Sequence, residues 1–184
     1  MNRKSLLLFF LTLVLILIFI LAQDESDADV QIYNSNIMGT SYSVTIHSKV
    51  DSQNTFFQVS NILNEINQDM STYIDNSLIS RVNQSEIGQW TKVSKDFIEV
   101  LNYAIEICNQ SKGIYDVSIG KLVNLWGFGP DKVNSKPSKD DINYLTSQVG
   151  CDSVQTDVDS QSVRKVRDIE LDFSSIAKGF AIDK

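Results

Sequence analysis

Leu171-Asp172-Phe173-Ser174-Ser175-Ile176-Ala177-Lys178-Gly179-Phe180-Ala181 is the most informative stretch of the chain. A strand near Ile169–Phe173 ends in two serines and turns directly into a helix that contains a glycine. Free N–H groups at a helix start, with hydroxyls beside them, favour an anion. Lys178, one turn in, adds positive charge. The pattern is neither the Gly-x-x-x-x-Gly-Lys-Ser/Thr phosphate loop nor the Gly-x-Gly-x-x-Gly dinucleotide fingerprint.

Working back from this point, strands are expected near Ser153–Thr156 and Ser162–Val166, with Asp157–Ser160 as the turn between them. Pro137-Ser138-Lys139-Asp140-Asp141 starts a short helix, with Ser138 as its cap and acids in its first turn. Gly120 to Pro130 holds Gly120, Gly127, Gly129 and Pro130 around Leu122, Leu125, Trp126 and Phe128, and reads as an ordered loop with its own small core. Tyr115–Ile119 reads as a short extended piece. Ser94 caps a helix whose apolar face is Phe97, Val100, Leu101, Ala104, Ile105 and Cys108, and which stops at Lys112-Gly113. Asp51 or Ser52 caps another. Its stripe is Phe56, Val59, Leu63, Ile66 and Met70, widened by Phe57 and Ile62, and it ends near Asp69. Met70 to Tyr73 follows as a loop and Asp75-Asn76-Ser77 as a turn. From Thr40, the apolar residues Tyr42, Val44 and Ile46 alternate with polar ones up to His47, a half-buried strand with the histidine on its solvated side. Strands and helices interleave and antiparallel pairs are expected, so the fold class is α+β, a mixed sheet packed with helices.

The 184 residues suit one domain of ordinary size, and 42% hydrophobic and 21% charged content is that of a globular protein. The net charge of −7, with scattered basic residues, argues against nucleic-acid binding, which needs clustered Lys and Arg. Residues 1–22 differ from the rest. Asn2-Arg3-Lys4 leads an apolar run from Leu6 to Ala22, interrupted only by Thr12. At about 1.5 Å per residue this run spans roughly 25 Å, close to a membrane core. The basic lead is expected to stay in the cytoplasm and the remainder to face outward. An uncleaved anchor is favoured over a cleaved signal peptide, because Ile20 and Leu21 leave no small-x-small site before Ala22. Residues 23–35 read as an acidic linker and 36–184 as the folded domain. Two cysteines are too few for a disulfide scaffold. Cys108, on an apolar helix face, reads as a buried free thiol, although an oxidising compartment would permit a bridge to Cys151.

Taken singly, the remaining motifs have structural explanations. Met38-Gly39-Thr40 is a turn before a strand, or a close approach of backbone to a ligand. Met70-Ser71-Thr72-Tyr73 and Ser80-Arg81-Val82-Asn83 form a helix exit with surface polar residues, or present a tyrosine that stacks on a flat ring. In Gly113-Ile114-Tyr115-Asp116-Val117-Ser118-Ile119-Gly120, the aspartate is a turn residue or an acceptor for a nucleotide. In order, Met-Gly-Thr, Met-Ser-Thr-Tyr, Ser-Arg-x-Asn, Gly-x-Tyr-Asp-Val-Ser-x-Gly, Leu-Trp-Gly-Phe-Gly and Leu-Asp-x-Ser-x-Ile-Ala-Lys-Gly-Phe-Ala resemble the landmarks of the ApbE family of FAD:protein FMN transferases. The resemblance covers roughly Asn36 to Lys184.

That resemblance implies an enzyme that takes FAD as substrate, with Mg²⁺, and passes FMN to a Thr or Ser of an acceptor protein. It implies a target in a membrane electron-transport complex and a location on the periplasmic side of the inner membrane. By motif position, Met38 and Tyr73 would flank a ring system of FAD. Ile114, Tyr115 and Asp116 would form a second wall. Ser174 would touch the phosphates, Phe180 would pack against the cofactor, and the Ala177 carbonyl would ligate Mg²⁺. Ile114 departs from the small residue common before Tyr-Asp. The family's remaining metal ligands, an Asp and a Thr or Ser, and its His-containing motif belong to a C-terminal half. The expectation is therefore of an N-terminal portion that is inactive by itself. Two rival readings are an FAD pyrophosphatase that releases FMN and AMP, and a membrane-anchored flavin-binding module without chemistry. A domain in which every motif is packing is a third.

Overall fold

The computed structural model describes residues 3–22, 30–47, 51–130 and 136–184, and within the first helix the side chains of 9–18. It divides into two compact units, one of Met1–Ser35 with Tyr42–Phe56 and one of Asn36–Ser41 with Phe57–Lys184.

In the first unit, α1 runs over Arg3–Ala22, and its described side chains, Phe9 to Ile18, are exposed. Among the described residues, no helix is long and apolar enough to cross a membrane. Tyr33 stacks on Phe56 with ring centroids 4.7 Å apart, and its hydroxyl lies 2.9 Å from Ser52 Oγ. β1 (Val30–Ile37) pairs with β2 (Thr40–His47). β2 shows the expected alternation, with Tyr42, Val44 and Ile46 half-buried and His47 exposed. β1 corrects the linker: Val30 to Ser35 belong to a strand because Ile32 and other β-prone residues find a hairpin partner, while 23–29 lie outside the described residues.

The second unit contains the hairpin tip and the core. α2 (Ser52–Met70) starts where Asn54 N donates to Asp51 Oδ1, which makes Asp51 the cap. Ile66 and Met70 are buried, whereas Phe57 stands 62% exposed and does not belong to the apolar stripe. α3 (Leu78–Gln84) follows the expected turn at 75–77, where Ser80–Asn83 read only as surface polar residues after a helix exit. Ser77 caps it by accepting from Ser80 N, and Ile79 and Val82 are fully buried. Seven residues are too few for a periodicity to declare itself, so α3 was hidden in the sequence. α4 (Lys95–Gln110) is capped by Ser94 and buries Phe97, Val100, Leu101, Ala104 and Cys108, as expected. It ends at Lys112 (φ 56°) and Gly113 (φ 82°), with Gly113 N donating to Cys108 O over 2.8 Å.

Residues 120–130 are not a loop with a core. α5 (Gly120–Leu125) occupies the first half, and Trp126 and Phe128 are exposed. The short extended piece at 115–119 forms only one parallel bridge, Ile119 to Glu170. Residues 169–173 likewise form no strand beyond that bridge. Their alternation is nevertheless real, since Ile169, Leu171 and Phe173 are buried. Their backbone bonds go elsewhere: Leu171 N to the Asn83 side chain and Asp172 N to Val117 O. α6 (Lys139–Gln148), capped by Ser138, buries no side chain. β3 (Thr91–Lys92), β5 (Ser162–Lys165) and β4 (Val154–Asp157) form an antiparallel sheet in that order. β4 and β5 are the expected hairpin, and β3 is an addition. α7 (Ala177–Asp183) ends the described chain. The core joins α4 to 169–173, with Phe97 and Phe173 rings 5.0 Å apart. Cys108 and Cys151 form a disulfide, so the free-thiol expectation is corrected. The turn before β4 brings Cys151 to the buried end of α4, a proximity that sequence spacing does not reveal.

Candidate functional site

A cavity of about 420 Å³ opens where the hairpin tip, the end of α2 and the start of α7 meet. Met38 (φ 51°) and Gly39 (φ 70°) form the tip, the paired positive angles that a two-residue hairpin turn requires. A methionine in that conformation is unusual and costly, and it sits on the cavity wall. α2 contributes Asn67 and Met70, and the chain beyond it contributes Ser71, Thr72 and Tyr73. Ser71 fixes this exit: its Oγ accepts from Tyr73 N (3.3 Å) and its carbonyl accepts from Ser77 Oγ (2.7 Å). The exposed Tyr73 ring is steadied by its hydroxyl, which donates to Phe128 O at 2.9 Å.

The opposite wall is the 172–178 turn. Ser174 N donates to Asp172 Oδ1 (2.7 Å), and Ile176 N and Ala177 N both donate to Phe173 O (3.0 and 2.8 Å). Those amides are therefore engaged within the turn rather than free for an anion. The polar groups left to the cavity are the side chains of Ser174 and Lys178, with Lys178 Nζ resting 3.2 Å from Ser174 O. Lys178 is the only charged side chain among the described residues lining the cavity, which therefore favours a negatively charged ligand. Asn83 does not line this cavity. It clamps the backbone of Leu171, just before the turn.

Four of the expected site residues, Met38, Tyr73, Ser174 and Ala177, thus share one cavity. Tyr115 comes close, its hydroxyl 3.1 Å from Ser175 Oγ. Asp116 turns back on its own segment and accepts from Ser118 N at 2.8 Å. Ile114 is 92% exposed. Phe180 lines a separate cavity with Val100, Tyr103 and Ile176. Asn67 was not anticipated, because a polar residue beside an apolar helical stripe carries no signal of what it faces. A third cavity, of about 280 Å³, is polar and lies across Thr72, with Asp75, Glu170 and Asp172 on its wall.

Mg²⁺ is held by one or two carboxylates together with phosphate oxygens and waters. The lining of the cavity at the hairpin tip includes no carboxylate. Among the described residues, no group of three His, Cys, Asp or Glu side chains could hold a metal. These residues do not form a Mg²⁺ site by themselves.

The ApbE family profile matches residues 38–184, beginning at the methionine of the hairpin tip. The chain belongs to the ApbE family. A FAD:protein FMN transferase of Haemophilus influenzae is 33% identical over 173 residues, covering 89% of this chain and 50% of that protein. One of Vibrio cholerae is 30% identical over 167 residues, with the same coverage. Among solved structures, the flavin transferase ApbE of Vibrio cholerae superposes with a TM-score of 0.76 at 29% identity, covering 84% of this chain and 52% of that one. The apo flavinyl transferase ApbE of Pseudomonas stutzeri gives 0.78 at 27% identity, covering 85% and 53%. The chain spans about half the length of the curated relatives it matches. The mixed α+β arrangement of helices and small sheets is the ApbE fold.

Proposed function

We propose that the protein transfers FMN from FAD to a Thr or Ser hydroxyl of an acceptor protein. One observation carries the reading: the cavity combines an exposed cation, Lys178, with serine hydroxyls and the exposed Tyr73 ring, and all of it falls within the stretch matched to the ApbE family. A dinucleotide offers complements to each. Its pyrophosphate suits Lys178 and Ser174, and a flat ring suits Tyr73 and Met38. The acceptor hydroxyl oxygen attacks the phosphorus on the FMN side of FAD. The bond from that phosphorus to the bridging oxygen breaks, AMP leaves, and the hydroxyl proton is released. Lys178 would offset charge building on the phosphates.

Mg²⁺ belongs to this proposal, with the Ala177 carbonyl as the donor from the matched motif, and its chemistry would be polarisation of the pyrophosphate. We place the domain outside the cytoplasm, on the periplasmic side of the inner membrane. The Cys108–Cys151 disulfide supports an oxidising compartment. Anchoring through α1 and an acceptor in a membrane electron-transport complex complete the reading. Alkaline extraction of native membranes tests the anchor.

The decisive assay takes the protein as its native cell makes it, incubates it with FAD, Mg²⁺ and an acceptor domain, then weighs the acceptor. An FMN-sized gain on one Thr or Ser is the expected result. FMN and AMP in solution with an unmodified acceptor would replace the transferase with a pyrophosphatase. Binding of FAD without products would leave a flavin-binding module, and no binding would sink all three.

A further inference from the structure

The disulfide between Cys108 and Cys151 closes a loop across a sequence separation of 43. At its start Val117 and Ser118 are buried, but beyond residue 120 the loop is poorly held by burial. α5 buries only Gly120, and α6 buries nothing. Its return near residue 150 rests on the disulfide, on hydrogen bonds from Gly150 N to Ser118 Oγ (3.1 Å) and from Arg167 Nη1 to Val149 O (3.5 Å), and on the exposed Arg167–Asp152 pair (2.5 Å). Exposed ion pairs contribute little. A disulfide that closes a long loop removes much freedom from the open chain.

The same loop reaches the cavity at the hairpin tip at one lining residue, Tyr73, and beside another, Ser174. Tyr115 Oη meets Ser175 Oγ, beside Ser174, at 3.1 Å. Phe128 O receives the Tyr73 hydroxyl at 2.9 Å. Cys108 is also connected to the first of these by backbone: its carbonyl accepts from Gly113 N, and Ser111 Oγ accepts from Tyr115 N at 3.0 Å. The apolar core of Phe97, Leu101, Ala104 and Phe173 packs without residues from 121–150.

We propose that the Cys108–Cys151 disulfide is a positioning bond for the cavity, so that ligand affinity depends on its redox state. Closed, it holds Tyr115 against the 174–175 turn and the Phe128 carbonyl under Tyr73. Reduction by a dithiol breaks the S–S bond. Two electrons and two protons pass from the dithiol, two cysteine thiols form, and the dithiol closes to a cyclic disulfide. The loop then loosens while the core stays folded. With FAD as the ligand, the inference rests on the function proposed above.

The test titrates the full chain with FAD before and after dithiothreitol, counts thiols by alkylation and mass, and follows amide hydrogen exchange. Reduction should raise the Kd by about tenfold, the scale of reordering two side chains on binding. Exchange should quicken at 113–119 and 126–130 and stay slow at 97–104. A Cys108→Ala/Cys151→Ala variant should match the reduced protein and ignore dithiothreitol. Unchanged exchange at the two segments overturns the inference, as does equal loosening of 97–104, which would make the disulfide a general staple. Should the oxidised chain fail to bind FAD, the proposed function falls, and the exchange data alone decide this inference.

Discussion

Asn83 holds Leu171 by both faces of one amide: its Nδ2 donates to Leu171 O at 2.9 Å and its Oδ1 accepts from Leu171 N at 2.7 Å. The side chain does what a neighbouring strand would do, and it sets the backbone just before the 172–178 turn. Asn83 O also receives Lys165 Nζ, a buried ammonium whose pKa burial lowers. Replacing Asn83 by Ala leaves two backbone groups of a buried residue unpaired. We expect Asn83→Ala to lower unfolding free energy by about 2 kcal/mol. Asn83→Asp sets a carboxylate oxygen against Leu171 O, two acceptors face to face, and should be no more stable than Asn83→Ala. Urea denaturation of the three proteins gives the order, and an unchanged Asn83→Ala midpoint would refute the clamp.

Gly120 approaches the 169–173 segment more closely than any side chain allows. A Cβ there would lie 2.8 Å from Glu170 O, while Gly120 N donates to that same oxygen. Gly179, in α7, has open space around its would-be Cβ. Gly120→Ala should therefore destabilise by about 1–3 kcal/mol through forced backbone shift. Gly179→Ala should be neutral or stabilising by up to about 1 kcal/mol. Thermal melts of both variants check the contrast, and equal effects would contradict it.

The long elements were legible because their periodicity repeats enough to be read: α2, α4 and the β4–β5 hairpin sit where spacing placed them. Short elements were not. α3 and β3 owe their existence to burial against partners distant in sequence, as with Val82 beneath the core and Thr91 beside Val163. The expected site residues divided in the same way. Met38, Tyr73, Ser174 and Ala177 were named from motif order, and they share one cavity because three chain segments end at one place. Asp116 and Phe180 stand outside that cavity because each is satisfied nearby, Asp116 by Ser118 N and Phe180 by partial packing on the core. The disulfide was invisible for a related reason: a spacing of 43 residues says nothing of Cα proximity.

Asp69 gives the fold a pH dependence of defined sign. Burial raises its pKa above the ordinary carboxylate value, against the opposing hydrogen bond from Ser94. The folded state therefore binds this proton more tightly than the unfolded chain. Its contribution to stability is complete below the unfolded pKa and is lost as pH rises through the raised folded value. Asp69→Asn keeps an acceptor for the Ser94 hydroxyl and removes the titration. Between about pH 4 and about pH 7, the variant should lose less stability than the parent and should be the more stable of the two at the upper end. Urea midpoints across that range measure it, and a steeper loss in the variant would be inconsistent with a burial-raised pKa.

Tyr73 has two separable contributions to ligand binding, a ring on the cavity wall and a hydroxyl fastened to Phe128 O. Tyr73→Phe keeps the ring and drops the fastening. A net hydrogen bond of about 1 kcal/mol corresponds to about fivefold weaker FAD binding. Tyr73→Ala removes the ring as well, and stacking worth about 1 kcal/mol adds a further factor of about five. Fluorescence titration of FAD into the three proteins should rank them parent, Phe, Ala in decreasing affinity. If Phe and Ala were equally weak, the fastening to 126–130 would carry the whole effect and the ring would not touch the ligand. If both matched the parent, the ligand would bind clear of Tyr73, and the cavity between the hairpin tip and the 172–178 turn would not be the FAD site.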